Sequence, residues 1–238
     1  MSSQDASLKT SLNRLLADGL KEQSEGLSQI EQEKLLQFVA LLNKWNKVYN
    51  LTSIRDPKEM VSLHLLDSLV MLPFFNNKDL PEQEKIKRVL DVGTGGGIPG
   101  IPLAICLPDI EFVLMDARGK KIRFIQTAIA QLGLKNVTAI HTRVEDFDLQ
   151  EQKDKHKFDR VISRAFASLE DMLLLCQHLC YREGPKKSIF LAMKGQIPEE
   201  EIAQLPEGFR IEAINELRVS GLNAQRHLIQ ITFQGEAK

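Results

Sequence analysis

Residues 88–100 read R-V-L-D-V-G-T-G-G-G-I-P-G: an apolar run reaching Asp91, then Gly93, Gly95 and Gly97 at alternate positions, then the start of a helical pattern. Glycines at this density let the backbone turn sharply and come close to a ligand, and the helix start that follows offers N–H groups with no partner inside the helix. The stretch predicts a strand, a ligand-binding turn and a helix, the opening of a βαβ unit. Downstream, apolar runs at 112–115, 137–141, 158–163 and 188–193 alternate with amphipathic stretches, as in a parallel sheet flanked by helices. The clearest helix covers 120–132, where Ile122, Ile125, Ile129 and Leu132 stripe one face and Gly133 ends the pattern. Two later runs, 209–219 and 227–233, joined by a glycine-containing turn, predict an antiparallel hairpin at the sheet edge.

Upstream the texture is helical. Leu35, Leu36, Val39, Leu42 and Val48 recur at helical spacing, Ser28 with Glu31 forms a capping-box pattern, and Asp56, Pro57 and Glu59 mark a second start. Residues 76–84 lack periodicity and read as a joining loop, so the chain divides into a helical N-terminal extension, 1–78, and a Rossmann-like domain, 85–238. Trp45 and Tyr49, one turn apart, are expected in the core.

With 43% apolar and 26% charged residues, the 238-residue chain has globular composition. The opening M-S-S-Q-D-A-S-L-K-T has no basic region leading into an apolar one. The most apolar stretch, 63–75, is broken by His64, Asp67 and Pro73, well short of the roughly 20 residues that span a bilayer. Neither export nor membrane insertion is expected. Three cysteines without framework spacing predict free thiols and a cytoplasmic protein. Cys176, His178 and Cys180 read as helix packing, and no metal is expected. A net charge of −1 excludes a bulk polycation, so an RNA substrate would need a local basic patch.

Gly95, Gly97 and Gly100 also satisfy G-x-G-x-x-G, which keeps a dinucleotide-dependent dehydrogenase as a rival. Asp91 tilts the choice: an acid there suits the cationic amino-acid end of S-adenosylmethionine and would repel a pyrophosphate. Asp116, about 20 residues beyond the glycines, stands where a ribose-binding acid is expected. In T-R-V-E-D-F, Val144 is a candidate to cover an adenine face and Glu145 or Asp146 to take its amine. The run S-R-A-F-A lacks the Asn or Asp followed by Pro-Pro and an aromatic that holds an exocyclic amine, and no cysteine stands in a Pro-Cys context at a strand end. What remains is displacement by an already nucleophilic atom, which needs alignment more than a base.

The motifs L-D-V-G-T-G-G-G-I-P-G-I-P-L-A, D-A-R-G-K-K-I-R-F, R-V-E-D-F and F-D-R-V-I-S-R-A-F-A-S-L, with W-N-K-V-Y-N-L-T-S-I-R-D and H-L-L-D-S-L upstream and M-K-G-Q and R-H-L-I-Q-I downstream, resemble the bacterial 16S rRNA methyltransferase G family, also called glucose-inhibited division protein B. The resemblance covers nearly the whole chain. It implies a class I S-adenosylmethionine-dependent methyltransferase: a seven-stranded, mostly parallel α/β sheet with a terminal antiparallel hairpin, behind a helical extension. It implies methyl transfer to guanine N7 in the decoding-region loop of 16S rRNA or of the small ribosomal subunit. Cofactor positions carried over by it are Gly93, Ile98, Val144, Glu145 and Arg164, beside the Asp91, Gly95, Gly97 and Asp116 already named.

Candidates for the substrate side are His64 at the site mouth, Arg123 in the basic run Arg118, Lys120, Lys121 and Arg123, and Lys194 and Arg226 with Arg218 and His227 along a basic rim. Solvated surface or internal pairing is the alternative for each. Two other functions stay open, a methyltransferase for another RNA, small molecule or protein, and a non-catalytic RNA-binding assembly factor.

Overall fold

A computed structural model describes residues 3–23, 26–149, 156–164, 166, 168–182 and 187–234. Its strands are β1 (Arg88–Val92), β2 (Glu111–Asp116), β3 (Val137–His141), β4 (Arg160–Arg164), β5 (Ile189–Lys194), β6 (Phe209–Glu216) and β7 (His227–Phe233). They form one seven-stranded sheet in the order β3-β2-β1-β4-β5-β7-β6. The first five run parallel, and β7 lies antiparallel between β5 and β6. This is the Rossmann-like sheet with a terminal hairpin that the sequence predicts. Strand order reverses between β1 and β4, and ligands of open α/β sheets bind at the carboxyl ends of strands beside such a reversal.

Burial follows position. β1, central and covered on both faces, is buried at every residue, as expected of a parallel strand between helix layers. β6, at the edge, alternates between sheltered and exposed positions and carries a bulge between Ile211 and Ala213. The fourth strand starts later than expected, with Phe158 making only an isolated bridge to Cys180, and β6 ends at Glu216 instead of running on to 219.

Helices α1 (Ser3–Glu22) and α2 (Gln29–Tyr49) precede the sheet, followed by α3 (Pro57–Met60), a π-helical stretch (Val61–Leu66) and α4 (Asp67–Leu69). The capping box forms, with Glu31 Oε2 accepting from Ser28 N at 2.6 Å and Ser28 Oγ accepting from Glu31 N at 3.3 Å. Asp56 caps α3 through Lys58 N at 2.9 Å. Then come α5 (Gly100–Cys106), α6 (Gly119–Leu132), α7 (Leu169–Cys176) and α8 (Glu199–Ala203). Gly133 closes α6 with φ 63, a left-handed cap.

The N-terminal helices share one core with a face of the sheet: Leu16, Leu35, Phe38, Val39 and Leu42 cluster with Ile101, Phe124, Val89, Phe112 and Ile162. The other face packs Leu90, Val113 and Val161 against Leu169, Met172 and Leu173 of α7. The Phe38 and Trp45 rings both meet Phe124 of α6, at 6.1 and 5.7 Å between centroids. Two expectations for α2 are corrected. Val48 is 71% exposed, because six residues past Leu42 the helix has turned roughly 240° beyond whole turns, off the buried stripe. Tyr49 stacks on Trp45 but is exposed on its outer side.

Among the described residues no helix is long and apolar enough to cross a membrane. Cys106, Cys176 and Cys180 take part in no disulfide. Because α7 ends at Cys176, Cys180 lies beyond it and not on the same helix face, where its Sγ donates to Cys176 O at 3.4 Å. Burial pushes the Cys180 thiol up to about 12, and His178 Nε2 pairs with Phe147 O at 3.2 Å.

Candidate active site

The glycine turn is held from beneath by Asp91. Its Oδ2 accepts from Thr94 Oγ1 at 2.6 Å and from the Gly100 N–H at 2.8 Å. Oδ1 is buried and has no partner among the described residues. Burial pushes the carboxyl up to about 7, against the two hydrogen bonds that favour its charged form. The side chain is fully enclosed and does not line the neighbouring cleft. Asp91, expected to meet a cationic ligand directly, stands beneath the loop and braces it through Thr94 and Gly100. Ile98 likewise turns into the core and away from the cleft.

Two glycines are required by space as well as by φ. At Gly93, φ +64, a Cβ would lie 3.1 Å from the Phe166 ring; at Gly97, φ +78, it would lie 2.7 Å from Ile101 Cγ1. The turn is stitched to β2 through Thr94 N and Met115 O at 3.1 Å.

Over this turn lies a cleft of about 360 Å³, at the carboxyl ends of β1 and β2. Four of the residues singled out by sequence, Gly93, Asp116, Val144 and Glu145, line it together. Asp116 Oδ2 accepts from Gly95 N at 3.0 Å and from Lys121 Nζ at 3.4 Å, and Oδ1 from Arg118 N at 2.9 Å. A carboxylate has about four acceptor positions, so one remains, and Lys121, the longest contact, must yield if two hydroxyls are to bind. Val144 is buried in a 3-10 turn (Val144–Asp146) and offers an apolar wall. Glu145 lines the cleft and pairs with Arg143 at 3.4 Å, whereas Asp146 is not among the lining residues. Of the basic run, Lys121 turns inward to Asp116, while Arg118, Lys120 and Arg123 are exposed.

Phe166 is a cleft residue that the sequence does not single out. It lines the cleft beside Gly93. The sequence signal was present in R-A-F-A, two residues past the end of β4, but nothing local shows that the ring folds back over the glycine turn. Ala165 and Ala167 of that motif lie outside the described residues.

Arg164 does not line the cleft. Its Nη1 donates to Leu63 O at 2.7 Å and to Asp67 Oδ2 at 2.8 Å, and its Nη2 meets His64 Nδ1 at 3.0 Å. Asp67 Oδ1 accepts from Arg226 Nε at 2.6 Å. His64, expected at the site mouth, is buried instead, and burial together with the Arg164 charge pushes its imidazole down to about 4. The neutral ring has its Nδ1 3.0 Å from both Arg164 Nη2 and Leu63 O, and its Nε2 3.0 Å from Thr52 Oγ1. Lys194 is tied to Glu201 at 2.9 Å and His227 Nδ1 to Gly195 O at 3.1 Å, so the expected basic rim is largely paired internally. Arg218 is exposed. Among the described residues no group of three or more His, Cys, Asp or Glu is placed to hold a metal ion.

Residues 31–229 match the profile of a family described as rRNA small subunit methyltransferase G. A protein of Idiomarina loihiensis named ribosomal RNA small subunit methyltransferase G is 47% identical over 215 residues, which span 90% of this chain and 96% of the relative. One of the same name from Aeromonas salmonicida is 50% identical over 204 residues, spanning 86% and 89%. A solved S-adenosylmethionine-dependent methyltransferase from Aquifex aeolicus superposes with a TM-score of 0.52 at 19% identity, covering 80% of this chain and 97% of that one, which shows a shared fold. With a profile match over most of its length and relatives near half identity along nearly all of theirs, the chain belongs to the rRNA small subunit methyltransferase G family.

Proposed function

We propose that this protein transfers a methyl group from S-adenosylmethionine to N7 of a guanine in the decoding-region loop of 16S rRNA, acting in the cytoplasm on the rRNA or the small ribosomal subunit. The observation that carries the reading is the convergence of Gly93, Asp116, Val144 and Glu145 on one cleft at the strand-order reversal, in a chain of this family. The cleft fits the cofactor. Gly93 keeps open a space that a Cβ would narrow to 3.1 Å from Phe166, Val144 and Met115 supply apolar wall, and Asp116 retains an acceptor position at the rim. When bound there, S-adenosylmethionine supplies an electrophilic methyl on a sulfonium centre.

The residues have separable tasks in this reading. Asp116 accepts from the ribose, with hydrogen bonds to a charged acceptor contributing about 1.5–3 kcal/mol each. Val144 and Phe166 enclose the ring and exclude water, and Glu145 accepts from the adenine amine. Asp91 fixes the turn from below. Guanine N7 bears an exposed lone pair and no proton, so the chain's task is alignment and a dry approach. Residues 85–238 would carry the chemistry, and the extension, 1–78, would buttress the substrate side through His64 and Asp67.

The test is transfer of labelled methyl to small ribosomal subunits lacking the modification, with the product nucleoside identified by mass spectrometry. N7-methylguanosine at one decoding-region site is expected. Cofactor binding without transfer to subunits or to rRNA would overturn the substrate assignment.

A further inference from the structure

Asp67 is almost fully enclosed, with its side chain 2% exposed, yet one carboxylate serves two guanidiniums, those of Arg164 and Arg226. His64 is the next polar neighbour and is neutral at physiological pH. The three charged side chains together therefore keep one positive charge. Asp91, the other acid near Arg164, is bound to the glycine turn.

Arg164 commits three of its five N–H groups, to Leu63, Asp67 and His64, so both of its terminal nitrogens are engaged. Of the five N–H groups of a guanidinium, Arg226 places one on Asp67 and one on Gln225 O, so three are uncommitted among the described residues, on a side chain one-fifth exposed. A planar fork held by a buried carboxylate, with donors left over, is suited to bidentate recognition of a phosphate and has little rotamer freedom to lose on binding.

Its place in the fold points the same way. β7 is antiparallel to β5 with Lys194 opposite His227, so Arg226, just before β7, stands at the carboxyl edge of the parallel strands. That is the edge at which the glycine turn opens after β1. Through Asp67, Arg226 is fixed to the end of β4, the strand beside β1. A nucleic-acid strand delivering a base to the cleft would pass this edge.

Resting on the function proposed above, we propose that Arg226, positioned by Asp67, is a phosphodiester-binding site for the RNA strand that carries the target guanine. Asp67 is its positioning residue and touches no substrate.

The experiment follows kcat/KM for methyl transfer to unmodified small subunits as salt is raised, comparing wild type, Arg226→Gln and Arg226→Lys, with cofactor affinity measured calorimetrically beside it. Each phosphate contact contributes about 0.7–0.9 to the slope of log affinity against log salt. Arg226→Gln is expected to flatten the slope by about that amount and lower kcat/KM several-fold, through KM for the subunit, with cofactor affinity unchanged. Arg226→Lys keeps the charge and the slope but loses the fork, so its KM is expected to rise less. An unchanged slope in Arg226→Gln, or a matching loss of cofactor affinity, would overturn the proposal and leave the function standing. Should Arg226→Gln not fold, an unchanged subunit KM in Arg226→Lys overturns it. Absence of transfer by the wild type to subunits and to rRNA would remove the function itself, and this site with it.

Discussion

Asp91 Oδ2 and the backbone N–H of Gly100 lie 2.8 Å apart, which joins the end of β1 to the first turn of α5 across the glycine loop. A Cβ at residue 100 would lie 2.6 Å from that oxygen and 2.9 Å from Leu114. Gly100→Ala is therefore expected to destabilise the fold by about 1–3 kcal/mol, as overpacking does. Urea unfolding checks this, and wild-type stability would show that the brace is loose.

Asp91 and His64 pull the pH dependence of stability in opposite directions. Asp91 titrates near 7 in the fold against 3.8 unfolded, so between these values the folded state holds the extra proton and stability falls as pH rises. His64 titrates near 4 against 6.5, so between these the unfolded state holds the extra proton and stability rises with pH. The two nearly cancel from about pH 4 to 6.5, each having a slope of about 1.4 kcal/mol per pH unit. Asp91→Asn should unmask a rising limb in that window and His64→Asn a falling one. Parallel curves for both variants in denaturant titrations from pH 4 to 8 would contradict the assignment.

Gly93→Val should abolish detectable binding of S-adenosylmethionine while leaving a folded protein. The residue sits at φ +64, and the added branches would enter the cleft beside Phe166. Calorimetry, with circular dichroism to show folding, is the measurement. Retained affinity would move the cofactor off this turn.

Asp116→Asn should weaken the cofactor by roughly 10- to 100-fold, corresponding to a lost charged acceptor of about 1.5–3 kcal/mol. The carboxylate also receives the Gly95 and Arg118 N–H groups, so a modest fall in melting temperature is expected beside it. Wild-type affinity in a folded Asp116→Asn protein would end the ribose assignment.

Asp67→Ala should cost about 3 kcal/mol, because it leaves two guanidiniums without the enclosed carboxylate that pairs them. Asp67→Asn, which still accepts a hydrogen bond, should cost less. Equal stability of both variants with wild type in urea unfolding would show the pairing to be replaceable by water.

The order of strands and helices, the glycine turn, the two capped helix starts and the left-handed end of α6 could all be read from sequence, because each depends on periodicity or on the conformational freedom of a few adjacent residues. Gly93, Asp116 and Val144 could be placed at the cleft for the same reason, since strand ends next to short turns have few places to go, whereas only the family resemblance chose Glu145 over Asp146. Tertiary structure alone decided which way the other side chains face. Asp91 turned under its loop and Ile98 into the core, since helices pack on that side of the sheet. Phe166 closed over Gly93, and the segment before Asp67 wound as a π-helix. Arg164 and Arg226 met on Asp67 across 97 and 159 residues of chain, a meeting fixed by packing between the extension and the sheet edge, which no local pattern encodes.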